Sequence, residues 1–442
     1  EEMEILFDGF DLCASNTSVS KTINGNYWWH LAAFFTVAIR QQVKKFEQKK
    51  QRSPTDAELK QIRTYTLSTI RGTVQADQLK ESMGQNTLVF NLDTALRMMG
   101  DVAEFYVENN IRNHYFVSIS GYHIAEAGAN PITQAALTLS NGLTYVELFK
   151  ARGIDPNKFL RNFSWFFSNG MDPEYAVIGR VARRIWAIAM RDIYGVDERG
   201  QKLKYHIQSS GRSLHAQEYT WNDYRTTLQA LYALSDNANS LHTNSRDEAF
   251  GTPTEETVRD SMAIQLILSK EYGWLQNENP IQGSHIASWL TDTVEEEILK
   301  IFEEMHSRGG VLGALEVNYQ RNRIQDESMI YEHRKHSGEL PIIGVNTFEE
   351  EIDNSNESNE EDDFDIEVTR SNEAERMMVI ERNQKFKKTH SKEAEAGLEK
   401  LKQVARDGGN LFEVMMEIVE YCSVGQVTQA LFETGGKFRR NM

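Results

Sequence analysis

Apolar runs recur along the first half of the chain, and most have polar residues at their carboxyl-terminal ends. Continuous apolar runs of this length are typical of strands that are buried on both faces of a parallel sheet. The predicted strands are residues 16–24, 67–75, 115–120, 162–167, 203–210 and 238–244.

Helical periodicity separates these runs, and three of the helices have clear start signals. The predicted N-caps and the prolines that follow them are Ser53 with Pro54, Asp172 with Pro173, and Thr252 with Pro253. Asp56 adds a negative charge to the first turn of its helix, and Glu255 is the predicted capping-box partner of Thr252.

Strands that alternate with helices predict parallel βα units. The length allows a barrel with a helical extension or three smaller domains. We predict an α/β fold of the (β/α)8 TIM-barrel type, without its first strand, because no GxGxxG or P-loop sequence supports a nucleotide-binding sheet. A seventh strand is expected at residues 310–316 or near residues 284–290, and no eighth can be assigned before residue 16.

The predicted barrel occupies residues 1–345. Residues 346–370 are acidic and rich in Asn and Ser, which predicts a flexible linker. Residues 371–442 return to helical periodicity, and their apolar stripe predicts a helix docked on the barrel or on another subunit. The stripe consists of Phe412, Met415, Met416 and Val419.

The charge and cysteine content narrow the class of protein. The net charge is −17, but eleven acidic residues lie between Phe348 and Val368, where there is no Lys or Arg. Nucleic acid is therefore not an expected partner of the folded body. No apolar run is long enough to span a membrane, and no signal peptide is visible. Cys13 and Cys422, the two cysteines, are expected to be reduced thiols of a cytoplasmic protein.

Polar residues with chemical potential follow the predicted strands, where a barrel builds its active site. Amides and imidazoles dominate this set, so it favours a polar, neutral substrate held by hydrogen bonds. The candidates are Gln75, Asp77, Gln85, Tyr122, His123, Glu126, Asn169, His206, Gln208, His242, Asn244, Asp247 and Glu248.

Each candidate also has a structural interpretation. A single histidine after a strand is more often a structural residue, Asp77 could cap a helix, and Asp247 and Glu248 could be solvated. The sequence lacks HExxH, GxSxG and cysteine clusters, so zinc peptidase and serine hydrolase functions are weakly supported. The residues alone indicate a barrel enzyme whose mouth is rich in amides and imidazoles.

Three long motifs resemble the catalytic barrel of the adenosylcobalamin-dependent acyl-CoA mutases, the methylmalonyl-CoA mutase superfamily. They are "SISGYHIAEAGAN", "KLKYHIQSSGRSLHAQE" and "NSLHTNSRDEAFGTPTEE". "GGVLGALE", "SGELPIIGVNTF" and "GGKFRRNM" are similar to the isobutyryl-CoA mutase branch, which includes forms fused to a G-protein domain. The resemblance covers nearly the whole chain.

The resemblance implies a radical rearrangement of an acyl-CoA thioester that depends on adenosylcobalamin. In the family, the histidine of the YHI motif contacts the thioester carbonyl, which assigns that role to His123. Gln75 matches a substrate-site glutamine. The other implied residues are Tyr122, Gln208 and Lys204 toward the substrate, and Glu126, His206 and Glu248 toward the cofactor, with Lys204 open to either ligand.

Gln85 is the residue that bears on substrate choice. Methylmalonyl-CoA mutases carry an arginine at this position, and its guanidinium pairs with the free carboxylate of the substrate. A neutral amide predicts an uncharged acyl group, such as isobutyryl-CoA or n-butyryl-CoA. Beside a plain alkyl chain, an arginine would be a buried and unpaired charge.

The chain also departs from the family. The cobalt-ligating DxHxxG motif, the P-loop, and the N-terminal segment with the first strand are absent from it. We therefore expect a cobalamin-binding domain or subunit, a G-protein chaperone domain and a second copy of the chain as partners. We expect inactivity without the cobalamin-binding domain and the missing N-terminal segment. The alternative is a non-catalytic barrel partner. Lys21 replaces a usual Met, and residues 26–30, "NYWWH", are bulkier than expected; they could fill space, rebuild the acyl pocket or cover an interface.

Overall fold

The computed structural model describes residues 1–23, 25–85, 87–350 and 370–438. Its strands fall within or overlap the predicted runs. They are β1 Val19–Lys21, β2 Gly72–Val74, β3 His114–Tyr115, β4 Val117–Ser120, β5 Phe163–Asn169, β6 Tyr205–Ser209 and β7 Ser240–His242.

All strand pairs are parallel, with orders β1-β2-β3 and β4-β5-β6-β7. The Ser118 amide donates to the Gln75 carbonyl over 2.8 Å, so the strand after β2 continues from β3 into β4 and the two groups form one curved layer. Among the described residues no pairing joins β1 to β7. The predicted α/β architecture with parallel strands, barrel-like with a helical extension, is confirmed.

Helices fill the connections and continue after the last strand. The α-helices are α1 Glu2–Leu6, α2 Tyr27–Lys50, α3 Asp56–Thr69, α4 Gln78–Lys80, α5 Leu92–Glu108, α6 Tyr122–Glu126, α7 Pro131–Ala151, α8 Pro156–Phe159, α9 Ile178–Ile188, α10 Asn222–Ser235, α11 Glu255–Leu266, α12 His285–His306, α13 Gly310–Glu316, α14 Tyr319–Ser337, α15 Glu373–Thr389, α16 Ser391–Asp407, α17 Leu411–Ile418 and α18 Val424–Gly435. Single π turns cover Glu81–Gln85, Ala189–Ile193 and Ile267–Glu271, and 3-10 turns cover Leu160–Asn162, Pro173–Ala176, Tyr219–Trp221 and Trp274–Gln276.

The predicted caps of α3 and α11 are wrong by two residues. Thr55, not Ser53, caps α3, because its hydroxyl accepts from the Glu58 amide while the Glu58 carboxylate accepts from the Thr55 amide. This reciprocal pair stabilises the helix start better than a single serine hydroxyl. Thr254 replaces Thr252 as the cap of α11 by the same device, with Thr257 as its partner.

The start predicted at Asp172 is also wrong. Pro173 opens a separate 3-10 turn, Pro173–Ala176, in which Asp172 makes no side-chain capping bond. The helix α9 begins only at Ile178, after Val177 has left helical geometry.

Both sites proposed for a seventh strand are helical instead. Residues 284–290 belong to the start of α12, where Ser284 caps the helix and buried residues such as Ala287, Thr291 and Val294 recur every three or four positions. Residues 310–316 form α13. A short apolar run fits a strand and a helix equally well. Here the buried residues are three or four positions apart, which is the spacing of a helix.

The C-terminal helices pack on the strand-bearing part of the chain. Phe412 of α17 contacts Phe105 of α5 edge to face, with ring centroids 4.9 Å apart. The buried Asp101 carboxylate accepts from the Leu411 amide over 3.0 Å. Met415 of the predicted stripe is fully buried. Most of the predicted linker, residues 351–369, lies outside the described residues.

The bulky segment after β1 enters the core. Tyr27, Trp28 and Trp29 begin α2 and are buried, and Trp28 packs against Phe90 with centroids 5.8 Å apart. Lys21 is also buried, and its ammonium nitrogen lies 3.1 Å from the centroid of the Phe34 ring. These side chains fill space under the helices.

Candidate active site at the carboxyl ends of the strands

The histidine after β4 is held in a buried position. His123 in α6 is 8% exposed, and its Nδ1 lies 2.6 Å from the Ser120 hydroxyl. The edge of its ring meets Phe166 at a centroid distance of 5.8 Å. Burial, together with the charge of Lys80, lowers the pKa of His123 to about 3. The imidazole is therefore neutral at neutral pH.

The side-chain amide of Gln208 connects the carboxyl ends of β4, β6 and β7. Gln208 in β6 donates to the Tyr122 hydroxyl over 3.1 Å and to the Asn244 side-chain oxygen over 2.9 Å. Tyr122 stacks on Phe166, with centroids 4.8 Å apart and planes 9° from parallel. Tyr122, Gln208 and Asn244 thus meet, as expected for residues at the carboxyl ends of parallel strands.

Both carboxylate oxygens of Glu126 accept hydrogen bonds from the chain itself. One oxygen accepts from the Ser210 hydroxyl over 3.0 Å and from the Ser168 hydroxyl over 3.3 Å. The other accepts from the Arg212 amide over 2.7 Å. Burial raises the pKa of this carboxyl. Glu126 therefore ties α6 to β5 and to the loop that follows β6.

Two further histidines lie on the same face of the neighbouring strands β6 and β7, two register positions apart. His206 places Nδ1 within 2.8 Å of the Ser240 hydroxyl, and burial together with nearby His242 lowers its pKa to about 4. Burial also lowers the pKa of His242. Glu248 keeps much of its surface exposed, while desolvation by the surrounding atoms, together with the charge of Asp247, raises the pKa of its carboxyl.

Asp247 and Asn169 face the helices rather than this cluster. Asp247 accepts from the Thr254 amide over 3.1 Å and from the Thr257 hydroxyl over 2.7 Å, which anchors the start of α11. Asn169 is buried, and its amide lies 3.4 Å from the Gln229 carbonyl of α10. Both have structural contacts that explain their positions.

The Gln85 segment lies beside α6. A Cβ at Gly84 would lie 3.6 Å from the His123 carbonyl oxygen. Gln85 is exposed, and its side-chain oxygen accepts from the Lys80 ammonium over 2.9 Å. Lys80 also pairs with Glu81 at 2.5 Å, although neither side chain has exposed surface.

Lys80 is a functional candidate that sequence reasoning missed. A charged residue on a polar stretch is normally solvated, and burial here depends on partners that only the fold reveals. The signal available in the sequence was the adjacent pair Lys80 and Glu81, five and four residues before Gln85.

Asp77 connects the segment around Lys80 with the end of β4. It is fully buried and accepts from the Ser120 amide over 2.8 Å, from the Lys80 amide over 3.2 Å and from the Tyr145 hydroxyl over 2.5 Å. It caps α4, as the structural interpretation predicted. Gln75, just upstream, is 6% exposed, and its side-chain oxygen has no partner among the described residues.

Lys204 lies away from the cluster, immediately before the amino end of β6. Its Nζ has no ion-pair partner among the described residues, and burial with the charges of Arg199 and Lys202 lowers its pKa. By the alternation of β6, Lys204 shares a face of the sheet with His206 and Gln208.

Small polar residues recur on this face of the sheet. An ordinary barrel fills its interior with branched apolar side chains. Here Phe166 is the large apolar exception, and the face is suited to a polar, extended ligand rather than to a closed core. The residues that share the face by strand register are Ser118, Ser120, Ser164, Phe166, Ser168, His206, Gln208, Ser240 and His242.

No group of three His, Cys, Asp or Glu side chains in the described ranges could hold a metal ion. None of the helices in the described part of the chain has both the length and the apolar character needed to cross a membrane.

Comparison with known proteins assigns the family. A family model described as methylmalonyl-CoA mutase matches residues 57–437. Fused isobutyryl-CoA mutases of Geobacillus kaustophilus and Nocardia farcinica are 58% and 56% identical to all of this chain, which covers 40% and 41% of their lengths. The 2-hydroxyisobutanoyl-CoA mutase large subunit of Aquincola tertiaricarbonis is 33% identical, over 99% of this chain and 73% of its own length. The chain thus spans about two fifths of the fused relatives, and it belongs to the methylmalonyl-CoA mutase family.

Proposed function

We propose that the chain is the acyl-CoA-binding barrel of a coenzyme B12-dependent mutase that interconverts isobutyryl-CoA and n-butyryl-CoA. The observation that carries the choice of substrate is the amide of Gln85. Its oxygen accepts from Lys80, and no cationic side chain occupies position 85 itself. An acyl group without a free carboxylate needs no ionic partner there. The names of the fused relatives support this choice.

The residues of the chain have distinct roles in this proposal. His123, neutral and nearly buried, donates to the thioester carbonyl and holds the migrating group in place. Gln75 offers a buried acceptor at the carboxyl end of β2. The serine-lined face accommodates the extended, polar part of coenzyme A, and Lys204 lies at the opposite end for its phosphates.

The polar face of β6 and β7 suits adenosylcobalamin, because neutral imidazoles and amides match the polar, uncharged surface of a nucleoside. When bound, this cofactor supplies the radical chemistry that removes and returns a hydrogen atom of the acyl group. His206 and Glu248 would hold it. Among the described residues, Nε2 of His206 has no hydrogen-bond partner. Glu126 contributes by fixing the loops around the site.

The partners follow from the same proposal. A cobalamin-binding domain or subunit faces the carboxyl edge, a G-protein domain serves as a chaperone, and residues 371–442 contribute to a homodimer. The word "fused" in the names of the relatives and the share of their length that this chain covers support further domains. The homodimer rests on the family resemblance alone.

Reconstitution tests the proposal. The chain is mixed with the N-terminal segment that it lacks, adenosylcobalamin, a cobalamin-binding subunit and isobutyryl-CoA, and the CoA esters are separated by chromatography. We expect n-butyryl-CoA from the complete mixture and none from the chain alone. A complete mixture that binds isobutyryl-CoA but forms no product supports the non-catalytic alternative.

A further inference from the structure

The hydroxyl of Ser120 has a single hydrogen-bond partner among the described residues, Nδ1 of His123 at 2.6 Å. Ser120 has no exposed surface. Its backbone amide donates to Asp77 over 2.8 Å, and Asp77 is fixed in turn by Tyr145. The backbone of Ser120 is therefore held by the buried Asp77 and Tyr145, and its hydroxyl contacts only His123.

Two arrangements of the hydrogen atom fit this contact. If the imidazole Nδ1–H donates to Ser120, the serine hydroxyl hydrogen needs another acceptor, and the described residues provide none. A buried donor would then be unsatisfied. If the serine hydroxyl donates to Nδ1, every donor at this contact has a partner. The ring proton is then on Nε2.

His123 is neutral, so the position of its single ring proton depends on the contact with Ser120. Its pKa of about 3 makes the ring neutral, and a neutral ring carries one proton that can occupy either nitrogen. The contacts with Phe166 and Tyr122 are ring contacts and select neither tautomer.

We infer that Ser120 is a positioning residue, which holds His123 in the tautomer that carries its proton on Nε2. The inference rests on the proposed function for its meaning, because only that tautomer can donate to a thioester carbonyl from the nitrogen that Ser120 leaves free. It also defines the ligand chemistry: this nitrogen recognises a hydrogen-bond acceptor, such as a carbonyl oxygen, and not a hydroxyl donor.

Nitrogen NMR of the full chain, with its histidines labelled with ¹⁵N, tests the inference without any turnover. His123 is assigned as the signal lost in His123→Gln. We expect its Nε2 to be protonated and its Nδ1 to be an acceptor. In Ser120→Ala we expect a mixture of tautomers or a switch to protonated Nδ1, and in Ser120→Thr the original pattern.

Ser118→Ala is the matched control, since this serine lies two residues earlier on the same face and should leave the His123 signal unchanged. A proton on Nδ1 in the unmodified chain, or an unchanged signal in folded Ser120→Ala, overturns the inference. Failure of the mutase assay with the expected tautomer present refutes the proposed function alone.

Discussion

The ammonium group of Lys80 donates to the side-chain oxygen of Gln85 over 2.9 Å, from a lysine that has no exposed surface. Because Lys80 occupies the amide oxygen, the NH2 group is the part of Gln85 left to face a ligand. The segment therefore presents a neutral donor, although it contains a buried ion pair between Lys80 and Glu81.

We predict that Gln85→Arg lowers kcat/KM for isobutyryl-CoA about tenfold or more, a cost of roughly 1.4 kcal/mol or above. The guanidinium lacks the acceptor that Lys80 now uses, and it places a charge beside an alkyl group. Gln85→Met, neutral and of similar length, is the control and should lose less activity. Steady-state kinetics of the reconstituted enzyme measures both, and unchanged values for the arginine variant would contradict the role of Gln85.

Glu126→Gln should destabilise the fold by about 1–3 kcal/mol, because an amide NH2 would replace one of the two acceptor oxygens. Whichever oxygen is replaced, either the Arg212 amide or the two serine hydroxyls lose their acceptor. Urea unfolding of the chain without any ligand measures the loss. Glu248→Gln, an exposed carboxyl on the same edge, is the control and should change stability little. Equal stability of both variants would favour a purely ligand-binding role for Glu126.

His206 predicts a pH dependence of stability. Its pKa is lowered from 6.5 to about 4 in the folded chain, so its contribution is complete above pH 6.5 and is lost as the pH falls toward about 4. Relative to His206→Gln, the native chain should lose about 1.4 kcal/mol per pH unit within this window. Urea titrations at several pH values measure the difference. His242→Gln, at a more exposed position, should show a smaller effect, and parallel curves for native chain and His206→Gln would refute the assignment.

Lys21→Met should raise the free energy of unfolding by about 1–3 kcal/mol, because the buried amine has no hydrogen-bond partner among the described residues. Burial lowers the pKa of Lys21 well below 10.5. The unfolded chain therefore binds the extra proton, and the gain shrinks as the pH rises toward 10.5. Unfolding at pH 7 and pH 9 measures this trend. Lys44→Met, on the surface, is the control; a destabilised Lys21→Met would show that the ring contact with Phe34 outweighs the burial cost.

The sequence predicted the positions of the strands well, because apolar residues mark one face of each strand. The assumption of apolar residues on both faces was wrong, since Ser118, Ser164 and Gln208 lie on a polar face. The correct cap of α3 is also visible in the sequence, since Thr55 and Glu58 have capping-box spacing, although Pro54 favours a helix that starts earlier. The short run at residues 310–316 carried no information that separates strand from helix.

The candidate site was only partly predictable. Tyr122, Gln208 and Asn244 meet as expected, since strand order brings their strand ends together. The sequence did not indicate the roles of Lys80 and Ser120, because these roles depend on burial. Lys80 is buried only because Glu81 and Gln85 satisfy it, and Ser120 matters only because Asp77 holds its backbone.

The most direct test of the proposed function is a competition assay in the reconstituted mixture, with equal concentrations of isobutyryl-CoA and methylmalonyl-CoA. We predict that n-butyryl-CoA accumulates and that no succinyl-CoA forms, because Gln85 provides no ionic partner for a free carboxylate. Formation of succinyl-CoA in preference to n-butyryl-CoA would contradict the assignment of an uncharged acyl substrate.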